Sequence, residues 1–397
     1  MVRPVIRIAP NELHINDPEI FLDMTKVGSH FSKDPAFYEF ITFPGTSIGE
    51  TDSGKHRIRR AVLTPAFSPT RVQQLSSMVE EKVEQLLQRF EEFEAKGEPV
   101  NIFTSTKAFT MDIISKIVFG KELGCIQDPI FKNQFIEYLH STFDMGWTAT
   151  SFPNLTKFSL SLPEWLSEVL FPIPLMEFKK KCIVLIEDYL QARKIPTTRE
   201  AGTVSEKEEY NKSVVIDTLV DPNSAKDHSV LNASQLAEEV IMLLSAGNDT
   251  TSDSMIVGIY QILRSPKIYQ KLNIELATSF PSLEEEITYD KAKKLVYLKL
   301  LLICKKGAVV KETLRYSSPL PGRAPRLVPS EGYNLHGHTL PSGTVINTSS
   351  YLLNRHTDVW SNPDEFLPER WLEKDAASLE KYMTSFYRGT RQCLGKE

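Results

Sequence analysis

Residues 386–397 read FYRGTRQCLGKE, which places Cys393 between Gly389 and Gly395 with Arg391 two positions ahead of it. A lone cysteine is more often a small buried hydrophobe than a reactive group. The surroundings of this one change that reading, because Phe386, Gly389, Arg391, Cys393 and Gly395 stand in the spacing F-x-x-G-x-R-x-C-x-G. Five specified residue types, each about one in twenty, should meet by chance on the order of once in ten thousand chains of this size. The chemistry is specific too. A thiolate that ligates iron needs backbone N–H groups aimed at the sulfur and a chain thin enough to approach a flat macrocycle. Glycines on both sides allow that approach, and an arginine can hold a cofactor carboxylate through two parallel hydrogen bonds.

The rest of the chain fits a globular protein built around such a loop. Its 397 residues are 41% hydrophobic and 24% charged, enough to bury a large core. The net charge of -5 offers no basic footprint for nucleic acid. Cys125, Cys182, Cys304 and Cys393 lack the close spacing of a zinc knuckle or a disulfide scaffold, and fit a reducing compartment. No apolar run reaches the roughly 18 residues that a membrane span needs.

Helical periodicity dominates. Residues 68–97, SPTRVQQLSSMVEEKVEQLLQRFEEFEAKG, open on Ser68 and Pro69 and close on Gly97. Asn232 and Gln235 predict a capping box ahead of a long apolar helix running nearly to Pro266, about 50 Å in length. The opening MVRPVIRIAPNELHIND alternates like a strand, and SEKEEYNKS at 205–213 reads as a surface loop. Residues 333–353 alternate and turn at Pro341, Ser342 and Gly343, which predicts a small β-sheet. With no repeats and no Pro/Gly-rich linker, the expected architecture is one domain over residues 1–397, mainly α with a small β-sheet subdomain.

Three further motifs join the cysteine loop. In KETLR, Glu312 and Arg315 lie three apart and share a helix face, which alone is usually a solvated pair. PERW adds Arg370, 23 residues before Cys393. AGNDTT, residues 246–251, sets Gly247, Asp249, Thr250 and Thr251 inside the long helix, where such residues weaken the helix interior. A functional reading explains that weakness: Gly247 lets a ligand approach the backbone, and Thr250 can bend the ladder and offer a hydroxyl. KHRIRRAVLTPAFS holds His56 and Arg60 one turn apart, by itself only a basic helix end.

Together these motifs resemble the cytochrome P450 family from about residue 5 onward. The resemblance implies the family's α+β fold, here incomplete at both termini, and haem b held through Cys393 as the axial iron ligand. Phe386 and Arg391 flank that ligand, Gly247 lies on the distal side, and His56, Arg60 and Arg326 are implied to contact haem propionates. His56 stands where tryptophan is common. Glu312, Arg315 and Arg370 correspond to a buried structural charge network. Asp249 and Thr250 correspond to the acid–alcohol pair that delivers the protons consumed when dioxygen is reduced.

The implied activity is hydroxylation or epoxidation of a small apolar molecule. It would use O2 and electrons from a separate NADPH-cytochrome P450 reductase, since the chain carries no Gly-rich nucleotide fingerprint. GRAPRLVPSEGYNLHGHTLPSGTVI and HRIRRAVLTPAFSP look like fungal enzymes of secondary metabolism, trichodiene oxygenase among them, which implies a terpenoid or polyketide substrate. Residues 37–43, 143–152 and 317–323 are expected to line the pocket. By resemblance the location is the cytosolic face of the endoplasmic reticulum membrane, or the cytoplasm where no anchor is present. A same-fold isomerase or dehydratase, and a non-catalytic remnant, are the competing readings; Thr250 counts against the first. A Cys/His hydrolase has no supporting signature around its cysteines.

Three departures from the family stand out. The amino-terminal anchor with its hinge, and the helix that follows the ligand loop, have no counterpart in the sequence as given. Leu300–Gly307, LLLICKKG, separates LVYLK from AVVKETLRY, which normally abut. On this reading the insertion shifts the charge network, and the 397-residue form holds haem poorly.

Overall fold

Asn232 and Gln235 cap each other, the asparagine side chain accepting from the Gln235 amide at 2.9 Å and the glutamine side chain from the Asn232 amide at 3.2 Å. From this box grows the longest element among the described residues, Ala233–Arg264, which ends where Ser265 and Pro266 start the next helix. The capping box and the length read from the sequence are both present. This computed structural model describes residues 4–41, 43, 45–141, 174–192, 214–282, 289–292, 294–298 and 307–396, with isolated positions between 152 and 166. The expectations placed on 143–151, on the loop 205–213 and on 299–306 of the insertion lie outside the described residues.

Along the chain the elements are β1 (Val5–Ala9), β2 (Glu12–Ile15), α1 (Pro18–Thr25), β3 (Ser32–Lys33), α2 (Pro35–Ile41), α3 (Ser53–Leu63), α4 (Pro69–Gln74), α5 (Ser76–Lys96) and α6 (Ile102–Phe119). They continue with α7 (Pro174–Ala192), α8 (Val215–Val220), α9 (Ala233–Arg264), α10 (Pro266–Ser279), α11 (Tyr289–Ala292) and α12 (Ala308–Ser317). Strands β4 (Arg326–Leu327), β5 (Tyr333–Leu335), β6 (His338–Leu340) and β7 (Val345–Asn347) follow. The mainly helical class with a small sheet is the one observed. The predicted helix over 68–97 is two helices, α4 and α5, parted at Leu75.

These elements form two compact units, one of Met1–Asp34, Val72–Glu80 and Thr250–Glu397, the other of Pro35–Arg71 and Glu81–Asp249. In the first, five strands pair in the order β1-β2-β7-β4-β3, and β5 pairs with β6 separately. The alternating amino terminus is a hairpin, β1 on β2, and β2 then runs parallel to β7 through Glu12↔Val345 and His14↔Asn347. Ile15 of β2 and Ile346 of β7 join Met24, Val328 and Leu335 in one buried cluster. A second cluster gathers Ile268, Leu272, Tyr297, Ala308, Val309, Trp360 and Trp371. The two ends of the insertion are close together, because the Val309 amide donates to the Tyr297 carbonyl at 3.0 Å.

In the second unit α6 is buried along most of its length, including Ala108, Met111, Ile114 and Val118. Asp112 on α6 accepts from the amides of Cys125 and Ile126, each at 2.9 Å, and so ties down the loop beyond the helix. A Cβ added at Gly247 would lie 2.6 Å from Ile114 Cγ1. The sequence reading has a ligand approaching Gly247, but the space its side chain would take is filled by Ile114. This glycine is therefore required by the contact of α9 with α6, where overpacking costs about 1–3 kcal/mol.

Candidate active site

The cysteine loop is built by backbone constraint. The Cys393 amide donates to the Phe386 carbonyl at 2.8 Å, which closes the loop and leaves the Cys393 side chain exposed. Gly389 has φ +66, and a Cβ there would lie 2.0 Å from the carbonyl oxygen of Thr25 at the end of α1. The motif glycine is thus fixed twice, by its left-handed backbone and by the approach of another chain segment. Gly389→Ala is expected to destabilise the protein by about 2–5 kcal/mol, the sum of backbone strain and overpacking. Urea unfolding checks this, and an unchanged midpoint would contradict the close approach.

Burial separates Cys393 from the other described cysteines. The Cys182 thiol is pushed up to about 12 by desolvation. Cys125 is raised further, again chiefly by burial and then by the charge of Asp112 beside it. Both stay protonated near neutral pH, so neither offers a thiolate. Cys304 lies outside the described residues.

Around the loop, Phe386 and Arg391 are half-buried. Arg326 on β4 is only 5% exposed, which rules out a surface role for it. Its guanidinium lies 5.0 Å from the centroid of the Tyr387 ring, and its Nη1 donates to the Pro325 carbonyl at 2.8 Å. One exposed thiol with arginines on the same unit is a donor set suited to a flat, anionic cofactor bound through sulfur.

The charge network closes in full within the same unit. Glu312 and Arg315 are completely buried, and Arg315 forks onto both carboxylate oxygens, at 2.7 and 2.9 Å. Arg370 Nε adds a third cationic contact at 3.2 Å, and Trp371 Nε1 and the Leu367 amide each donate at 2.9 Å. Arg315 also reaches the carbonyls of Asn354, Pro363 and Glu365. Every lone pair of the carboxylate is thereby used, as a buried charge requires. The insertion ahead of α12 leaves this network assembled.

On the second unit, His56 is buried and Arg60 half-buried, one turn apart on α3. Helix α9 meets α6 through polar bonds that local sequence reading missed. Asn248 Nδ2 donates to the Lys107 carbonyl at 2.7 Å and to Thr110 Oγ1 at 3.0 Å. Asp249 Oδ1 accepts from Lys107 Nζ at 2.5 Å, with the lysine side chain 2% exposed. Thr250, the next residue, begins the part of α9 that belongs to the first unit. Its carbonyl accepts a second bond, from Ser254 Oγ at 2.9 Å, a side-chain bond of the kind that bends helices.

Glu239, nearly three turns earlier on α9, was not singled out by its sequence context either. Its two oxygens accept from the Ser47 amide at 3.1 and 2.9 Å, and Arg59 Nε stands 3.8 Å away. Burial raises this carboxyl above its usual range, while Ser47 and Arg59 pull it back down.

A helical fold that presents one braced sulfur in this way is the architecture of a thiolate-bound cofactor enzyme. Comparison with known proteins gives the family. The sequence profile described as Cytochrome P450 matches residues 14–397. The chain is 48% identical over 394 residues to Cytochrome P450 monooxygenase sol6 of Alternaria solani, an alignment covering 99% of this chain and 81% of that one. It is 31% identical to Cytochrome P450 monooxygenase aneF of Aspergillus aculeatus, over 99% of this chain and 76% of the relative. A similar enzyme of Penicillium terrestre, macH, is also 31% identical, over 99% and 74% of the two chains. The chain belongs to the cytochrome P450 family, and its activity is that of a P450 monooxygenase.

Proposed function

We propose that this enzyme inserts one oxygen atom of O2 into a small apolar molecule, a terpenoid or polyketide of fungal secondary metabolism, by hydroxylation or epoxidation. The observation that carries the reading is the exposed Cys393 thiol, on a loop closed by its own amide and pinned at Gly389, beside the buried Arg326. Haem b, when bound, supplies the oxidising chemistry, and a thiolate ligand favours O–O cleavage by donating electron density. Cys393 would ligate the iron, while Arg326, Arg391, His56 and Arg60 would hold the propionates. Phe386 would pack beside the ligand. Glu312, Arg315 and Arg370 would act structurally, fixing the segments that precede the cysteine loop.

Proton supply falls to α9. Asp249 and Thr250 are consecutive, and the Thr250 hydroxyl can pass on a proton that the Lys107 ammonium gives up through the Asp249 carboxylate. Lys107 holds that carboxylate at 2.5 Å. Electrons would come from NADPH-cytochrome P450 reductase, which agrees with the lack of a nucleotide fingerprint in the sequence. We place the enzyme at the cytosolic face of the endoplasmic reticulum; no helix among the described residues is long and apolar enough to cross a membrane. The likeness to P450 monooxygenases of Alternaria, Aspergillus and Penicillium supports the fungal setting.

The test is turnover of a terpenoid and polyketide panel under oxygen-18 gas with the reductase and NADPH. One labelled oxygen in a product supports the reading, and products formed without the reductase or O2 would replace it with an isomerase. Thr250→Ala is expected to keep haem and substrate binding while diverting most reducing equivalents to peroxide. The ratio of product to NADPH consumed measures this, and unchanged coupling would remove the hydroxyl from the proton path.

A further inference from the structure

Tyr387 occupies a backbone conformation that a tyrosine adopts at a cost. Its φ is +53, in the left-handed region, where a Cβ crowds the following carbonyl oxygen. Glycine would sit there without strain. Such a conformation persists only where surrounding contacts over-determine it. Three contacts do so here. The Tyr387 amide donates to the Thr384 carbonyl at 2.9 Å. The ring stands edge-on to Phe21 of α1, with centroids 5.5 Å apart and planes at 87°. The Arg326 guanidinium lies 5.0 Å from the ring centroid. Arg326 is 5% exposed, so this cation meets the ring largely out of water, where the attraction is strongest.

We propose that Tyr387 is a positioning residue whose ring seats Arg326 beside the cysteine loop, so that the guanidinium is presented to a haem carboxylate. The inference rests on the reading of Arg326 as a propionate partner. It adds a coupling that neither motif contains. The segment that places the sulfur also places the cation, because Tyr387 lies between Phe386, whose carbonyl closes the loop, and Gly389, which is pinned against Thr25. The phenol oxygen plays no part in this role; the face of the ring does.

The experiment follows haem transfer from purified holoprotein to excess apomyoglobin, alongside thermal unfolding. Tyr387→Phe keeps the ring and is expected to lose haem at the wild-type rate, within about twofold. Tyr387→Gly and Tyr387→Asn both tolerate the left-handed backbone and remove the ring. Each is expected to lose haem about tenfold faster, equivalent to about 1.4 kcal/mol, with no matching fall in the unfolding midpoint of the glycine variant. Arg326→Gln is expected to show a similar acceleration, and Tyr387→Gly placed on it should add nothing. If Arg326→Gln leaves haem loss unchanged, the propionate reading fails and takes the seat with it. Should Arg326→Gln accelerate loss while Tyr387→Gly does not, or Tyr387→Phe prove as damaging as glycine, the seating role alone is overturned.

Discussion

Cys393→Ala is expected to abolish oxygenase turnover completely and to remove the spectral signature of thiolate ligation. No neutral side chain supplies the electron donation of a thiolate to iron. Nor can the fold offer a substitute among its described cysteines. Cys125 and Cys182 are fully buried, and desolvation keeps their thiols protonated. The alanine variant should still fold, because the loop is closed by the Cys393 amide, which alanine retains, and not by the sulfur. Turnover and the carbon-monoxide spectrum, each measured against wild type, check this. Residual turnover at a tenth of the wild-type rate or more would show that the ligand lies elsewhere.

Glu312→Ala carries the largest expected loss of stability. The substitution strands the guanidinium of Arg315, which is 0% exposed, and takes a partner from Arg370, which is 4% exposed. Removing one member of a buried pair costs about 3–5 kcal/mol, because the remaining charge is left uncompensated. The Trp371 indole N–H and the Leu367 amide lose their acceptor in the same step. Against a total stability of about 5–15 kcal/mol, that loss would leave little folded protein at 37 °C. Glu312→Gln should recover only part of it, since the amide keeps one acceptor oxygen and no charge. Denaturant midpoints for the three proteins decide the matter. A shift under about 1 kcal/mol for the alanine variant would mean that the network contributes little.

What the sequence disclosed follows from how locally each feature is encoded. The capping box of α9 is four residues long, and Glu312 with Arg315 is a single helical turn, so spacing alone reveals them. The loop of Cys393 is spelled out within ten residues for the same reason. The features that were not legible pair distant positions. Lys107 reaches Asp249 across 142 residues, and nothing in KAFTMD marks the lysine as buried. Gly389 needs Thr25, Tyr387 needs Phe21 and Arg326, and Glu239 needs Ser47; even where one residue stands out in its motif, as Gly389 and Arg326 do, nothing local names its partner. The sheet shows the same limit. Both 5–15 and 333–347 read as strands, yet only the folded chain shows β2 running beside β7. Gly247 is the instructive case of a residue whose local oddity is visible but whose cause is a neighbour, Ile114, that periodicity does not identify.

The central claim is that Cys393 ligates haem iron as a thiolate, and its most direct measurement is the absorption spectrum of the reduced, carbon-monoxide-bound holoprotein. Thiolate ligation predicts a Soret band strongly shifted to the red of the position given by a histidine or protonated-thiol ligand, absent in Cys393→Ala. A fully haem-loaded, folded protein that shows only the unshifted band would contradict the account.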